Sequence, residues 1–111
     1  MGKSTIKQLA ETVQYTSSTI LYRIGNLRIL QISGTPPHGT ILYEQDRPKQ
    51  YLRSPAICND TGGNLYCAIG NVNINTNGVI NCAVATAYYS AGTGYSTFTN
   101  GIICASLIWT V

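Results

Sequence analysis

The apolar residues of this chain follow the pattern of strands rather than helices from residue 12 onward. Val, Ile, Thr and Tyr are abundant there, turn residues recur at short intervals, and no long segment repeats with the 3.6-residue period of an amphipathic helix. The pattern predicts that residues 12–111 form one all-β domain.

Turn sequences predict three hairpins within this domain. Gly25-Asn26 predicts the first, over residues 18–32, and a glycine in the first position suits a type II′ turn. Thr61-Gly62-Gly63-Asn64 predicts a second hairpin over residues 56–69, and Asn77-Gly78 predicts a third.

The two ends of the chain differ from the rest. Residues 102–111 are apolar at both odd and even positions, which predicts a strand covered on both faces and a chain that ends inside its core. We expect such an end at the distal tip of an assembly.

Residues 1–11 differ from the β pattern that follows them. Ile6, Leu9 and Val13 are three and four residues apart, which is the spacing of the apolar positions in one coiled-coil heptad. This spacing fits a short helical or stalk-derived lead-in, or a cloning remnant.

The composition bears on the partners of the protein. Charged residues make up 10% of the chain, against about a quarter in an average soluble domain. So few charges predict that part of the surface is buried against copies of the chain or against a larger particle. The net charge of +3 comes from scattered residues, so we expect no nucleic-acid partner. No window reaches the ~18 to 20 apolar residues that span a bilayer, so we expect no membrane insertion.

The four cysteines predict neither a metal site nor a cofactor. They form no Cys-x-x-Cys pair, and His38 is the only histidine that could join them as a zinc ligand. We expect reduced thiols that pack as small hydrophobic side chains. One alternative stays open: if Gly62-Gly63 forms a two-residue turn, Cys58 and Cys67 lie opposite each other and could form a disulfide.

The chain is also poor in the residues that hydrolytic enzymes require. Cleavage of a glycan normally needs two placed carboxylates, and the chain offers only Glu11, Glu44, Asp46 and Asp60. Glu44 and Asp46 are too close in sequence to flank a bond, and the single histidine has no nucleophile motif beside it. We therefore expect a protein that is not an enzyme.

Four short segments together resemble a known family of viral proteins. They are the hairpin over residues 22–30, the pair Arg47-Pro48, the turn Asn75-Thr76-Asn77-Gly78 and the strand Ser106-Leu107-Ile108-Trp109-Thr110. In these segments the chain is similar to the C-terminal head domains of tail-fibre and baseplate receptor-binding proteins from phages of Gram-positive bacteria. That family commonly has a glycine-tyrosine-arginine-proline motif, whereas here Glu44-Gln45-Asp46 precedes Arg47-Pro48.

The resemblance implies a fold, a location and a function. It implies that residues 12–111 form an antiparallel β-sandwich of jelly-roll type, assembled as a homotrimer at the tail tip or baseplate of a virion after assembly in the host cytoplasm. Such heads attach to saccharides of the host cell wall or envelope without catalysis, and they are joined to the rest of the fibre or baseplate. The alternative is a trimerisation cap that registers the fibre chains and contacts no receptor.

Aromatic residues in a glycine-rich stretch are the first candidates for saccharide binding. Residues 87–101 are mostly small and hydroxylated, which predicts a long surface loop or a pair of ragged strands. The rings of this stretch can stack against sugar faces, and they belong to Tyr88, Tyr89, Tyr95 and Phe98. Alternatively, these rings cap the core or lie between subunits.

Polar residues in two loops supply further candidates. His38 lies in the proline-rich loop of residues 34–39, and a neutral imidazole can donate to and accept from a sugar hydroxyl. Arg53, together with Arg47 and Lys49, could bind a phosphate or an acidic sugar. Arg47 could instead brace its loop against Asp46.

One run of asparagines predicts a polar strand face. Alternate residues from 71 to 77 are asparagines, so their carboxamides would form a row on one side of a strand: Asn71, Asn73, Asn75 and Asn77. Such a row serves either as a hydrogen-bonded ladder between subunits or as a solvent-facing edge.

Overall fold

The computed structural model describes residues 10–59, 67–83, 87–90, 94–97 and 102–111 of the chain. These residues form strands and one short 3-10 turn, Glu44–Asp46. The strands are β1 Ala10–Thr16, β2 Thr19–Ile24, β3 Leu27–Gly34, β4 Leu52–Asn59, β5 Cys67–Ile74, β6 Ile80–Ala83, β7 Ala87–Ser90, β8 Gly94–Thr97 and β9 Ile102–Thr110. The predicted all-β class is confirmed. The predicted lead-in lies mostly outside the described residues, and β1 already begins at Ala10.

Seven strands form one antiparallel sheet that curls into a half-barrel. The strand order is β1-β2-β3-β9-β4-β5-β6, while β7 and β8 form a separate two-stranded sheet. Strand β9 therefore joins two local units, β1-β2-β3 on one side and β4-β5-β6 on the other. This arrangement gives the sheet one concave face and one convex face, and the two faces carry different chemistry.

Two of the predicted hairpins form at the predicted turn residues. β2 and β3 pair over the whole of β2, and Gly25 between them takes a φ of +58°, which suits a glycine-first turn. Between β5 and β6, the Asn75 side chain accepts hydrogen bonds from the backbone N–H groups of Asn77 and Val79, both at 3.0 Å. An asparagine that mimics a backbone carbonyl in this way fixes the turn.

The remaining hairpin forms with a different register from the one that a two-residue turn would give. β4 and β5 pair along their full length, with Cys58 opposite Ala68 and Asn59 opposite Cys67. Residues 60–66, which contain the predicted turn, lie outside the described residues. Cys58 and Cys67 are therefore offset by one position rather than directly opposite, so the register on which the disulfide alternative depended does not form.

The core lies on the concave face of the sheet. Alternate residues of the central strands point inward and are buried, among them Leu21, Leu30 and Leu107. The segment between β3 and β4 crosses this face and inserts Leu42, whose side chain is 1% exposed. Burying a leucine or isoleucine of this kind contributes about 1.5–3 kcal/mol, so the segment acts as the lid of the core.

The convex face of β9 is open, contrary to the prediction that both faces of this strand are covered. Its odd-numbered residues Ile103, Leu107 and Trp109 are buried, whereas Ile108 is 64% exposed and Cys104 is also exposed. The physical reason is that the β3–β4 segment covers only the concave side. An apolar strand face is therefore left uncovered in the single chain.

We expect Gly78→Ala to destabilise the fold more than Gly39→Ala. Both glycines have a positive φ, at +81° and +84°, so either alanine has a backbone cost of about 1 kcal/mol. A Cβ on Gly78 would also lie 2.8 Å from Cγ of Arg47, whereas a Cβ on Gly39 would meet nothing within 4 Å. Chemical denaturation of the two variants measures the difference, and equal stability would contradict the close packing of Arg47 on Gly78.

Candidate functional site

A buried carboxylate, Asp46, fixes the segment that carries several candidate residues. Its side chain is fully buried, and it accepts hydrogen bonds from Nε of Arg23 at 2.7 Å and from Nε of Arg28 at 2.8 Å. The Tyr15 hydroxyl donates to the same carboxylate at 2.7 Å. The indole N–H of Trp109 donates to the Asp46 backbone carbonyl at 2.9 Å. Asp46 thus ties β1, β2, β3 and β9 to the segment, and we call this group the Asp46 cluster.

The prediction that Arg47 braces the loop against Asp46 is wrong. Arg23 and Arg28 occupy the carboxylate, and Nε of Arg47 donates instead to the backbone carbonyl of Leu42 at 3.2 Å. Arg47 therefore holds the other end of the same segment. The two arginines that reach Asp46 come from β2 and β3, which curl toward it.

The charges of the Asp46 cluster shift the pKa values of its acids. Burial alone would raise the pKa of the Asp46 carboxyl, but hydrogen bonds from Arg23, Tyr15 and Arg28 outweigh it and hold the pKa below its usual value. Burial, followed by the hydrogen bond to Asp46, raises the pKa of Tyr15 to about 12. The carboxylate is therefore ionised and the phenol neutral across the physiological range.

We expect the free energy of unfolding to fall in acid because of Asp46. A carboxyl with a lowered pKa in the folded state stabilises the fold above its ordinary pKa of 3.8, and this contribution is lost as the pH falls through the folded value. Asp46→Asn should cost about 3–5 kcal/mol at pH 7, because it leaves buried arginines without their partner. Denaturant unfolding at several pH values measures both effects.

Two further variants keep this prediction testable if Asp46→Asn does not fold. Tyr15→Phe removes a single donor and should cost about 1 kcal/mol. Glu11→Gln breaks only the exposed pair with Arg23, at 3.3 Å, and should cost less than about 1 kcal/mol. A Glu11 variant less stable than the Tyr15 variant would contradict the central place of Asp46.

The convex face of the sheet divides into two halves, and the first is apolar. On β1, β2, β3 and β9, the residues that alternate with the buried ones form rows across the strands and include no charged side chain. These rows are Ala10-Ile24-Leu27-Thr110, Thr12-Tyr22-Ile29-Ile108 and Gln14-Ile20-Gln31-Ser106. We call this surface the apolar half.

The second half of the convex face, on β4, β5 and β6, carries a row of carboxamides and one arginine beside Pro55 and the exposed Ile57. Arg53 lies opposite Asn73, and Asn73 lies opposite Asn81, so the three form a single row across the strands. Opposite residues in a sheet have Cβ atoms about 5 Å apart, so these side chains are neighbours. We call this surface the carboxamide half.

Two features make the carboxamide half suited to a polar ligand. Arg53 is exposed, and its guanidinium carbon lies 5.5 Å from the ring centroid of Tyr51, which is itself 52% exposed. Oδ1 of Asn73 is buried and has no hydrogen-bond partner among the described residues. The row thus offers hydrogen-bond donors and an aromatic ring at the surface, with an unsatisfied acceptor buried beneath them.

The asparagine prediction is only partly met. Asn71 and Asn73 do alternate on β5, where their side chains are half-buried. Asn75 and Asn77 instead lie in the following turn, because the Asn75 side chain is used to close it. The row continues across the sheet to Asn81 rather than along the strand.

His38 has a structural partner. Its Nδ1 accepts a hydrogen bond from the backbone N–H of Cys82 on β6 at 2.9 Å, while the side chain is exposed. Next to it, Gly39 donates to Ile80 and Ile80 donates to Thr40, both at 2.8 Å. Residues 38–42 therefore cover the outer edge of β6, and the imidazole takes the place of a backbone carbonyl there.

The predicted aromatic candidates fall on the two-stranded sheet. Tyr88 and Tyr89 are on β7, and Tyr95 is on β8, where it lies opposite Tyr89. Of the two arrangements predicted for this stretch, a pair of short strands is the one that forms. β7 lies beside β5, the strand that carries Asn73. Phe98 lies outside the described residues.

Sequence reasoning identified Arg53 and, separately, the asparagines of β5, but it missed Tyr51 and did not place Asn73 beside Arg53. Tyr51 and Arg53 are two residues apart, as are Asn71 and Asn73, and this spacing places each pair on one strand face. The spacing was visible in the sequence. The partnership of Asn73 with Asn81 and Arg53 was not, because it depends on the register of three strands.

In the part of the chain that the structure describes, no group of three or more His, Cys, Asp or Glu side chains could hold a metal ion. Within those ranges, no helix has the length and apolar character needed to cross a membrane.

Comparison of the chain with protein-family models, with curated proteins and with solved structures finds no match.

Proposed function

We propose that this protein is the receptor-binding head of a phage tail fibre or baseplate, which attaches to a saccharide of the host cell surface without catalysis. The observation that carries the proposal is the exposed Arg53–Tyr51 pair beside the carboxamides of β5 and β6. Sugar recognition uses aromatic rings for the apolar face of a sugar and amide or guanidinium groups for its hydroxyls. The carboxamide half offers both.

The chemistry of the row favours an anionic saccharide. The guanidinium of Arg53 can donate two parallel hydrogen bonds to a phosphate or carboxylate, and its exposure leaves it accessible. The half-buried carboxamide of Asn81 in the same row can donate to and accept from sugar hydroxyls. Gram-positive cell-wall polymers are often phosphorylated, so they supply such groups. Single sites of this kind bind weakly and gain strength when many heads on one virion bind together.

The apolar half supports the proposed homotrimer. The face spans four strands about 4.8 Å apart, and each strand has about eight residues with a rise of about 3.3 Å per residue. Its area is therefore roughly 500 Å². A patch of that size is among the largest that monomers leave exposed. We propose that copies of the chain cover it, and that the sheet-on-sheet contact of a β-sandwich arises there. This assembly would form the tip of the fibre, joined to the rest of the fibre or baseplate.

A second candidate function is a trimerisation cap with no receptor contact. The apolar half carries no charge and supports the cap function as well as it supports the receptor-binding function, because assembly alone would use that surface. The cap places Tyr89, Tyr95 and Phe98 at the three-fold axis and assigns no role to Arg53. Only the receptor-binding function requires the carboxamide half to bind a saccharide, so a binding measurement distinguishes the two functions.

We expect Arg53→Ala and Tyr51→Ala each to weaken binding to phosphorylated Gram-positive wall polysaccharide at least fivefold. The first removes the anion-binding donors and the second removes the stacked ring. Arg53→Lys keeps the charge but loses the bidentate geometry, so it should bind between the wild type and Arg53→Ala. Titration of the trimer with purified polysaccharide measures these affinities.

The matched control for Tyr51→Ala is Tyr43→Ala, which removes another exposed tyrosine away from the carboxamide row. It should leave binding unchanged. If a trimer binds no wall polysaccharide, or if the Tyr51 and Tyr43 variants behave alike, the cap function replaces the receptor-binding one.

We expect light scattering to give a particle of about 36 kDa, three times the 12.0 kDa chain. Ile108→Glu places a charge in the centre of the apolar half and should yield monomers, because a carboxylate cannot be buried there without a partner. Thr76→Glu adds the same charge in the exposed β5–β6 turn and should leave the trimer intact. A wild-type monomer at all concentrations would contradict the assembly.

A further inference from the structure

The sheet contains an internal opening where β4 and β9 separate. β9 pairs with β3 along nearly its whole length, but it pairs with β4 only at residues 102–104. Beyond that point the two strands diverge. Within the described residues, positions 105–110 of β9 and 52–56 of β4 have a strand partner on one side only. We call the wedge between them the β4–β9 notch.

The notch has a closed apolar end and an open end with a positive charge. Pro55, Ala56 and Ala105 line the closed end, and Lys49, Leu52 and Trp109 line the mouth. None of the described residues that line the notch is acidic. Between the two ends the lining includes Arg53, Ser54 and Ser106. The wedge is thus apolar at its closed end and basic toward its mouth, where it is complementary to a carboxylate.

The two outer edges of the sheet are protected in ways that the notch is not. β1 carries the charged Glu11 and a register irregularity between Gln14 and Thr16, which disfavours pairing with another strand. The edge of β6 is covered by residues 38–42. By contrast, residues 105–110 of β9 contain no charge and no proline. An unprotected strand edge of this length is a template for strand addition.

We propose that the β4–β9 notch accepts an extended segment of another protein as an added strand. The incoming segment would be five or six residues long, with small or apolar side chains toward the closed end and a carboxylate beside Lys49. It pairs mainly with β9, because Pro55 has no N–H to offer from β4. An antiparallel alignment with β9, the more stable kind, places the N-terminal end of the segment at the mouth.

A second copy of the chain is a poor donor for this strand. Among its four acidic residues, Glu11 is bonded to Arg23, Asp46 is buried within the Asp46 cluster, and Glu44 lies in a 3-10 turn rather than in an extended segment, while Asp60 lies outside the described residues. We therefore assign the notch to a different protein, such as a neighbouring component of the assembly that holds the head. Arg53 lines both the notch and the carboxamide row, so the test varies Lys49, which lies outside the row.

Synthetic peptides test the proposal on the full chain. The probe is an acetylated eight-residue peptide of alternating threonine and valine with an N-terminal glutamate. One control peptide has a central proline, and the other has lysine in place of the glutamate. Trp109 is the only tryptophan and lies at the mouth, so its fluorescence reports binding. Amide hydrogen exchange reports pairing at residues 105–110.

We expect the glutamate peptide to slow exchange at residues 105–110 at least tenfold and the proline peptide to have no effect. Lys49→Glu should reverse the preference, so that the lysine peptide binds at least fivefold more tightly than the glutamate peptide. Thr76→Glu, which adds a carboxylate in the β5–β6 turn, should keep the wild-type preference.

Three results would overturn the inference. The peptides could leave both fluorescence and exchange unchanged. The N–H groups of residues 105–110 that face the notch, and are not bonded to β3, could already exchange slowly in the peptide-free protein at low concentration, which would mean that the chain itself fills the notch. Slowing that depends on protein concentration alone would identify a second copy as the occupant. Polysaccharide binding is measured on peptide-free samples, because Arg53 lines both surfaces, so either proposal can fail without the other.

Discussion

The ion pairs of Asp46 are the interaction on which the rest of the structure depends. A carboxylate with no solvent exposure is unfavourable unless its charge is matched, and here the match comes from arginines on two adjacent strands and a tyrosine on a third. Trp109 adds a bond to the backbone of the same residue. A polar anchor of this kind has directional requirements that hydrophobic contacts lack, so it sets where the β3–β4 segment crosses the sheet.

The position of that segment decides what each face of the sheet can do. Because the segment covers the concave side with Leu42 and the Asp46 cluster, the core residues there are buried. The convex face of the sheet remains exposed to partners. The same segment also delivers Tyr51 to the start of β4, where the ring meets Arg53. One buried charge thus connects the packing of the core to the chemistry of the exposed surface.

The sequence predicted what depends on local periodicity and turn chemistry. Alternation gave the all-β class, and glycine and asparagine located two turns, because these features act over a few residues. Properties that depend on long-range register could not be predicted. The Cys58–Cys67 pairing differed by one position, and Arg53, Asn73 and Asn81 meet only because two hairpins fix their register. The burial of Asp46 could not be predicted either, since its arginine partners lie about twenty residues away in the sequence.

The place of β9 in the sheet also has a kinetic consequence. The units β1-β2-β3 and β4-β5-β6 are joined by neighbouring hairpins, so their contacts are short in sequence and form early. β9 follows both units in the chain and must insert between them. It pairs with β4 residues about 45 positions away and with β3 residues about seventy or more positions away, such as Gln31 with Ser106. Closing so long a loop is slow, and until it closes the edges of β3 and β4 remain unpaired. Docking of β9 is thus the step that sets the folding rate and during which the chain is most prone to aggregation.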